Sequence, residues 1–114
     1  MIIELYDLDD YIYHILIGKN AEENWKLIDD ASENDIWFHL DNYPSPHVIL
    51  KIPVDYNLKK VPRKVLTRCA NLCKIHSKYN NIKKINIIYT KIKNIKKGDH
   101  VGSVITQNTS SIVI

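Results

Sequence analysis

Three groups of side chains in this 114-residue sequence have the types and spacing to do chemistry. Cys69, Cys73 and His76 fall at i, i+4 and i+7, on one face of a helical pattern. Two thiolates and an imidazole there would hold zinc if His39 or His47 supplied a fourth ligand. The competing reading is an apolar stripe, where free cysteine is often buried. Structural zinc pairs its ligands across a tight knuckle, and the sequence has none, so no metal and no cofactor are expected. His39 and His47 form the second group, beside Trp37, Asp35 and Asp41. An imidazole there would serve as a general base near neutral pH. Yet the sequence carries no activated-nucleophile signature, no glycine-rich phosphate loop and no paired-carboxylate motif, and no enzyme activity is expected. Strand alternation instead puts His39 on the same face as Trp37. Lysines make the third group: Lys83, Lys84, Lys91, Lys93, Lys96 and Lys97, interleaved with isoleucines and Tyr89. Donors spaced along extended segments suit a phosphate backbone, whereas the bland alternative is a solvated face with lysines guarding edge strands.

Charge distribution decides between those two. Residues 1–57 hold three lysines against twelve acids, a net −9. Residues 58–114 hold thirteen basic residues against Asp99, a net +12, so that the whole chain carries only +3. Lysine, asparagine and isoleucine are all abundant, as AT-rich coding produces, but codon bias would spread lysine evenly. Segregation of this kind points to a face for a polyanion.

The elements that must position these residues follow from periodicity. Ile2 to Tyr6 and residues 11–17 read as strands, the second ending at Gly18. Asn20 caps a helix over about 21–31, with Glu22 and Glu23 in its first turn. Ile36–Leu40 and His47–Ile52 are strands around a loop stiffened by Pro44 and Pro46. Pro62 opens the longest helix, to about residue 77, with Val65, Leu66, Cys69, Leu72, Cys73 and His76 as its apolar stripe. Ile85–Tyr89 is a strand, and an extended piece through Ile92 and Ile95 ends at Lys96-Lys97-Gly98-Asp99. Val104–Thr106 and Ile112–Ile114 suggest a closing hairpin. Without strict strand–helix alternation, the expectation is an α+β fold, one domain over residues 1–114, with a mainly antiparallel β-sheet and two helices. The first ten residues have no basic region of a secretory signal, and no apolar run approaches the ~20 residues of a membrane span. Paired with two helix-borne cysteines, these features predict a cytoplasmic location and no membrane partner.

The segments Asp35-Ile36-Trp37-Phe38-His39 and Pro44-Ser45-Pro46-His47-Val48 resemble the NFACT-R family, whose pattern has a D-x-W-F-H strand, a short loop and an H-V strand. Gly18-Lys19-Asn20 with Asn24, Pro62 with Val65-Leu66, Cys69-Ala70 with Leu72, and Ile87-Ile88-Tyr89-Thr90 with Lys93, Ile95, Lys96 and Lys97 resemble its other blocks. Val101-Gly102, Val104 and Ile112-Val113 resemble its last strands, so that the blocks run in order from about Tyr11 to Ile114. Ser45-Pro46 stands where the commonest form has Gly-Ser; the standalone eukaryotic branch also lacks that glycine, and the chain resembles this branch without its charged coiled-coil tail. The family's larger members act in ribosome-associated quality control and bind tRNA and the large ribosomal subunit. The resemblance therefore implies RNA binding, with tRNA or ribosomal RNA as ligand and the ribosome as a further partner; DNA stays open. Site residues expected from residue chemistry and resemblance together are Lys93, Lys96 and Lys97 on phosphates, and Lys19 and Asn20 at a helix start. Trp37, His39, His47 and Tyr89 are expected as a loop-side cluster around an exposed nucleotide. Two other readings remain at this level: a protein-docking adaptor that uses the acidic half, and a metal-dependent hydrolase.

Overall fold

The computed structural model describes residues 1–53 and 60–114. Its chain order is β1 (Ile2–Leu8), β2 (Tyr11–Ile17), α1 (Ala21–Asp30), β3 (Ile36–Leu40), β4 (Val48–Leu50), α2 (Arg63–Ile75), β5 (Asn86–Lys91), a 3-10 turn (Ile92–Asn94), β6 (Ile95–Lys97), β7 (Val104–Thr106) and β8 (Ser110–Val113). Six strands form one antiparallel sheet in the order β1-β2-β4-β3-β5-β8, and β6 and β7 form a separate two-stranded ribbon. The α+β reading with two helices holds.

Alternation along β3 sorts the two faces. Ile36, Phe38 and Leu40 point into the larger core, with Val65, Cys69, Leu72 and Cys73 of α2. Trp37 points to the other side, into a smaller cluster with Leu27 of α1, Ile49, Ile92 and Ile95. The molecule is therefore layered as α2, the sheet, then α1 with the ribbon. Asp9 and Asp10 close the β1–β2 hairpin with φ of 52° and 64°. Two consecutive left-handed residues match the right-handed twist of the strands they join.

One expectation fails: β7 and β8 do not make a hairpin. β7 pairs with β6, and β8 crosses to pair with β5. Buried Thr90 directs that crossing. Its Oγ1 donates toward the carbonyls of Gln107 and Asn108, both at 3.1 Å, and accepts from Asn94 Nδ2 at 2.9 Å. Asn108 turns the chain with a φ of 53°, and Ile112 drops into the α2-side core. His76 also departs from expectation. The last helical residue is Ile75, so His76 caps the end, exposed, with its N–H on Leu72 O. Asp35 is buried and holds the backbone N–H groups of Ser32 and Ile52, each at 2.9 Å, together with the Lys51 ammonium. It joins β3 to the segment after β4, well away from the histidines' hydrogen bonds.

Candidate nucleic-acid interface

At one end of the sheet four segments converge: the β2–α1 turn, the Pro44–His47 loop, the stretch after α2, and the tip of the ribbon. They enclose a cleft of about 610 Å³. Its wall includes Lys19, His39, His47, His76, Lys78 and Gly102, and no carboxylate of the described residues lines it. That absence is notable because two of the four segments, the β2–α1 turn and the Pro44–His47 loop, lie in the acid-rich half of the chain. A second, shallower groove shares His39, His47, Pro44 and Gly102 with it.

The two imidazoles are held differently. His39 Nδ1 lies 2.6 Å from Leu40 O, and a carbonyl only accepts, so Nδ1 carries the proton. The other ring nitrogen, Nε2, then offers a lone pair, and no hydrogen bond occupies it among the described residues. His47 is the reverse case. Trp37 Nε1–H donates to its Nδ1 at 3.1 Å, which assigns the His47 proton to Nε2. Burial lowers the pKa of both rings; His47, which also feels His39, is pushed down to about 3. Both are therefore neutral at physiological pH. The three rings pack together, with Trp37 stacked on His39 at 5.5 Å and edge-on to His47 at 5.4 Å.

Close backbone packing fixes the cleft's walls. Asn24, buried on α1, accepts the His47 N–H at 3.1 Å, and the Gly18 N–H donates to His47 O at 3.0 Å. A Cβ on Gly18 would meet Asn24 Oδ1 at 2.0 Å, so only glycine lets the strand pass the helix here. Gly102, with φ of 89°, brings the ribbon tip against Ala21, where a Cβ would meet the Ala21 Cβ at 2.8 Å. The helix start is closed by a reciprocal cap. Asn20 Oδ1 accepts from Glu23 N at 2.9 Å, and Glu23 Oε1 accepts from Lys19 N at 2.8 Å. The bond from Lys19 N holds the Glu23 carboxyl below the usual range.

The structure thus brings Lys19, Asn20, His39 and His47 together and separates the other expected residues. Trp37 is only 1% exposed and supports both histidines from behind, leaving no face for a base. Tyr89, 9% exposed, lies on the opposite side of the sheet and stacks on Phe38 at 5.5 Å. The register explains this: Tyr89 pairs with Phe38, not with Trp37 or His39. Asn20 spends its side-chain oxygen on the cap. Lys93 sits in the 3-10 turn beyond the far end of β5, with its N–H on Glu33 O. Lys96 is exposed on the ribbon, while Lys97 pairs with Asp29 at 2.6 Å and lies 5.1 Å over the Trp25 ring. These lysines lie apart from the cleft, beside Asp29 and Glu33 on the α1 side. Sequence reasoning missed His76, Lys78 and Gly102 as cleft residues. For His76 the signal was there, since the stripe of α2 simply runs beyond the sheet's end.

Cys69 and Cys73 are buried free thiols whose pKa values burial raises. Exposure separates them from His76, and no cluster of metal-ligand type occurs among the described residues. No helix among the described residues is long and apolar enough to cross a membrane.

Residues 2–113 match the family described as the NFACT protein RNA binding domain. The chain belongs to the NFACT-R family. Relatives of this NFACT-R chain include coiled-coil domain-containing protein 25 of Mus musculus, 39% identical over 75% of this chain and 41% of that protein. Protein JLP2 of Saccharomyces cerevisiae is 34% identical over 78% of this chain and 45% of its own length. The Rqc2 homolog RqcH of Bacillus subtilis is 29% identical over 73% of this chain and 14% of that protein. Among solved structures, the C-terminal part of the fibronectin/fibrinogen-binding protein from Streptococcus suis superposes with a TM-score of 0.81. That match has 25% identity and covers 98% of this chain and 44% of the other. This NFACT-R chain spans less than half the length of these relatives.

Proposed function

We propose that this NFACT-R domain is a non-catalytic RNA-binding module that takes tRNA or ribosomal RNA in the cytoplasm, in ribosome-associated translation quality control. The observation that carries this reading is the cleft bordered by Lys19 and Lys78 and lined by no carboxylate of the described residues, in a chain of an RNA-binding family. Neutral His39 offers an acceptor at Nε2 and a ring edge to an unpaired base, and the two lysines neutralise flanking phosphates. Trp37 and His47 act as positioning residues behind His39. Asn20 serves by setting the start of α1, and Lys93, Lys96 and Lys97 supply a second phosphate-facing surface. Tyr89 has no part in the contact, because its ring is packed under α2.

The test is fluorescence anisotropy of labelled tRNA against salt concentration. Contact with ~3–5 phosphates gives log K falling against log[salt] with a slope of about −2 to −4. Failure to bind at low salt, or affinity that salt does not touch, overturns the reading. A duplex DNA competitor in the same assay measures how far the module prefers RNA.

A further inference from the structure

The α1 layer does not cover the whole sheet. α1 packs over Leu16, Ile49 and Trp37, and the same face continues onto β1 with nothing above it among the described residues. There Ile3, Leu5 and Ile12 are 57%, 60% and 50% exposed. The register puts them side by side, since Ile3 pairs with Leu16, Leu5 with His14, and Asp7 with Ile12. Single exposed aliphatics are ordinary, but Ile3 and Leu5 on the edge strand, with Ile12 diagonal to Leu5 on β2, form a face made to be covered.

The surrounding charges say what covers it. Asp7 shares the face, and Asp9 and Asp10 form the turn at one end. At the other end Glu23 of α1 lies beside the start of β1, its carboxylate 3.0 Å from the Met1 amine. Glu23 is offset by that amine, so the acidic character of the rim comes from Asp7, Asp9 and Asp10, which repel RNA and anionic membrane surfaces. A second copy is disfavoured too, because a two-fold contact lays the same acids against themselves. Geometry specifies the shape. Strands lie about 4.8 Å apart and a helix is ~10 Å wide, so the β1–β2 pair has the width of one helix laid beside α1.

We infer that the outer face of β1 and β2 is a docking site for an amphipathic helix of a partner protein, with an apolar stripe flanked by lysine or arginine. The site is independent of the RNA cleft. It makes the domain an adaptor that holds a polyanion at one end and a cationic protein segment along one edge.

A synthetic leucine–lysine amphipathic peptide of about 18 residues serves as the probe, with binding followed through the methyl NMR signals of the full chain. The expected result is perturbation centred on Ile3, Leu5 and Ile12, and none with a leucine–glutamate peptide of the same pattern. Ile3→Glu with Leu5→Glu should weaken peptide binding at least ~10-fold while leaving tRNA affinity unchanged. Asp7→Asn with Asp10→Asn, which leaves the apolar face intact, should weaken it several-fold and guards against misfolding of the first variant. Perturbation elsewhere, undiminished affinity in both variants, or no binding by the wild type overturns the proposal. So does a wild-type dimer in sedimentation that Ile3→Glu with Leu5→Glu abolishes, since the occupant is then a second copy.

Discussion

The cleft and the outer face of β1–β2 lie on the same sheet and draw on the same acid-rich half of the sequence, yet they are built in opposite ways. In the cleft the polar groups are held in place or basic: His39 and His47 with assigned protons and a free acceptor on His39, a capped helix start, and Lys19 and Lys78 at the edge. On the outer face apolar side chains stand in water, and Asp7, Asp9 and Asp10 lie on the face and its turn. Net charge per half of the chain does not reveal this. What matters is where backbone packing puts the acids: Glu23 is turned onto the Lys19 N–H and the Met1 amine, and no carboxylate of the described residues lines the cleft.

The largest expected effect breaks the comparison at the cleft. Lys19→Glu with Lys78→Glu should reduce tRNA affinity about 100-fold, near 2.7 kcal/mol, with the fold retained and peptide docking on β1–β2 untouched. Reversing Lys93, Lys96 and Lys97 together adds a larger charge change but should cost less, roughly 10-fold, because Lys97 is already paired with Asp29. Anisotropy titrations at one salt concentration compare the two. An equal or larger loss in the ribbon variant would move the site to the ribbon.

Acid should weaken the cleft before the outer face. The folded-state pKa of His47 is depressed, so the unfolded chain takes up its proton first. Its contribution is whole above the ordinary value of 6.5 and is lost as pH falls toward about 3. Glu4 and Glu23, also lowered, lose theirs only below the ordinary carboxylate value of 4.5. Denaturant unfolding between about pH 6.5 and 4.5 should show falling stability, and His47→Gln should flatten that slope. The smallest effect on either region comes from the core. Cys69→Ala with Cys73→Ala should lower stability by about 1–3 kcal/mol through cavity formation, leaving RNA and peptide affinities at wild-type values.

Most elements were legible from the sequence because their signals are local. The Asn20 cap, Pro62 before α2 and the alternation of β3 each depend on neighbours within a few residues. Strand pairing is not local. A three-residue strand such as β7 carries no mark of its partner, and the hydrogen bonds of Thr90, fourteen or more residues away, decide it. The site divides in the same manner. His39 and His47 were legible through their motifs, whereas Tyr89 was misplaced because its face depends on the β3–β5 register. Lys78 lies just after the visible pattern of α2, and only the topology carries it beside Lys19.

Gly102 has a consequence for the timing of recognition. A ribbon tip in contact with the first residue of α1 cannot swing as an independent flap. The wall it forms exists before any ligand arrives, so little ordering entropy is lost on capture. Encounter then depends on diffusion and electrostatic attraction rather than on waiting for a rare open form.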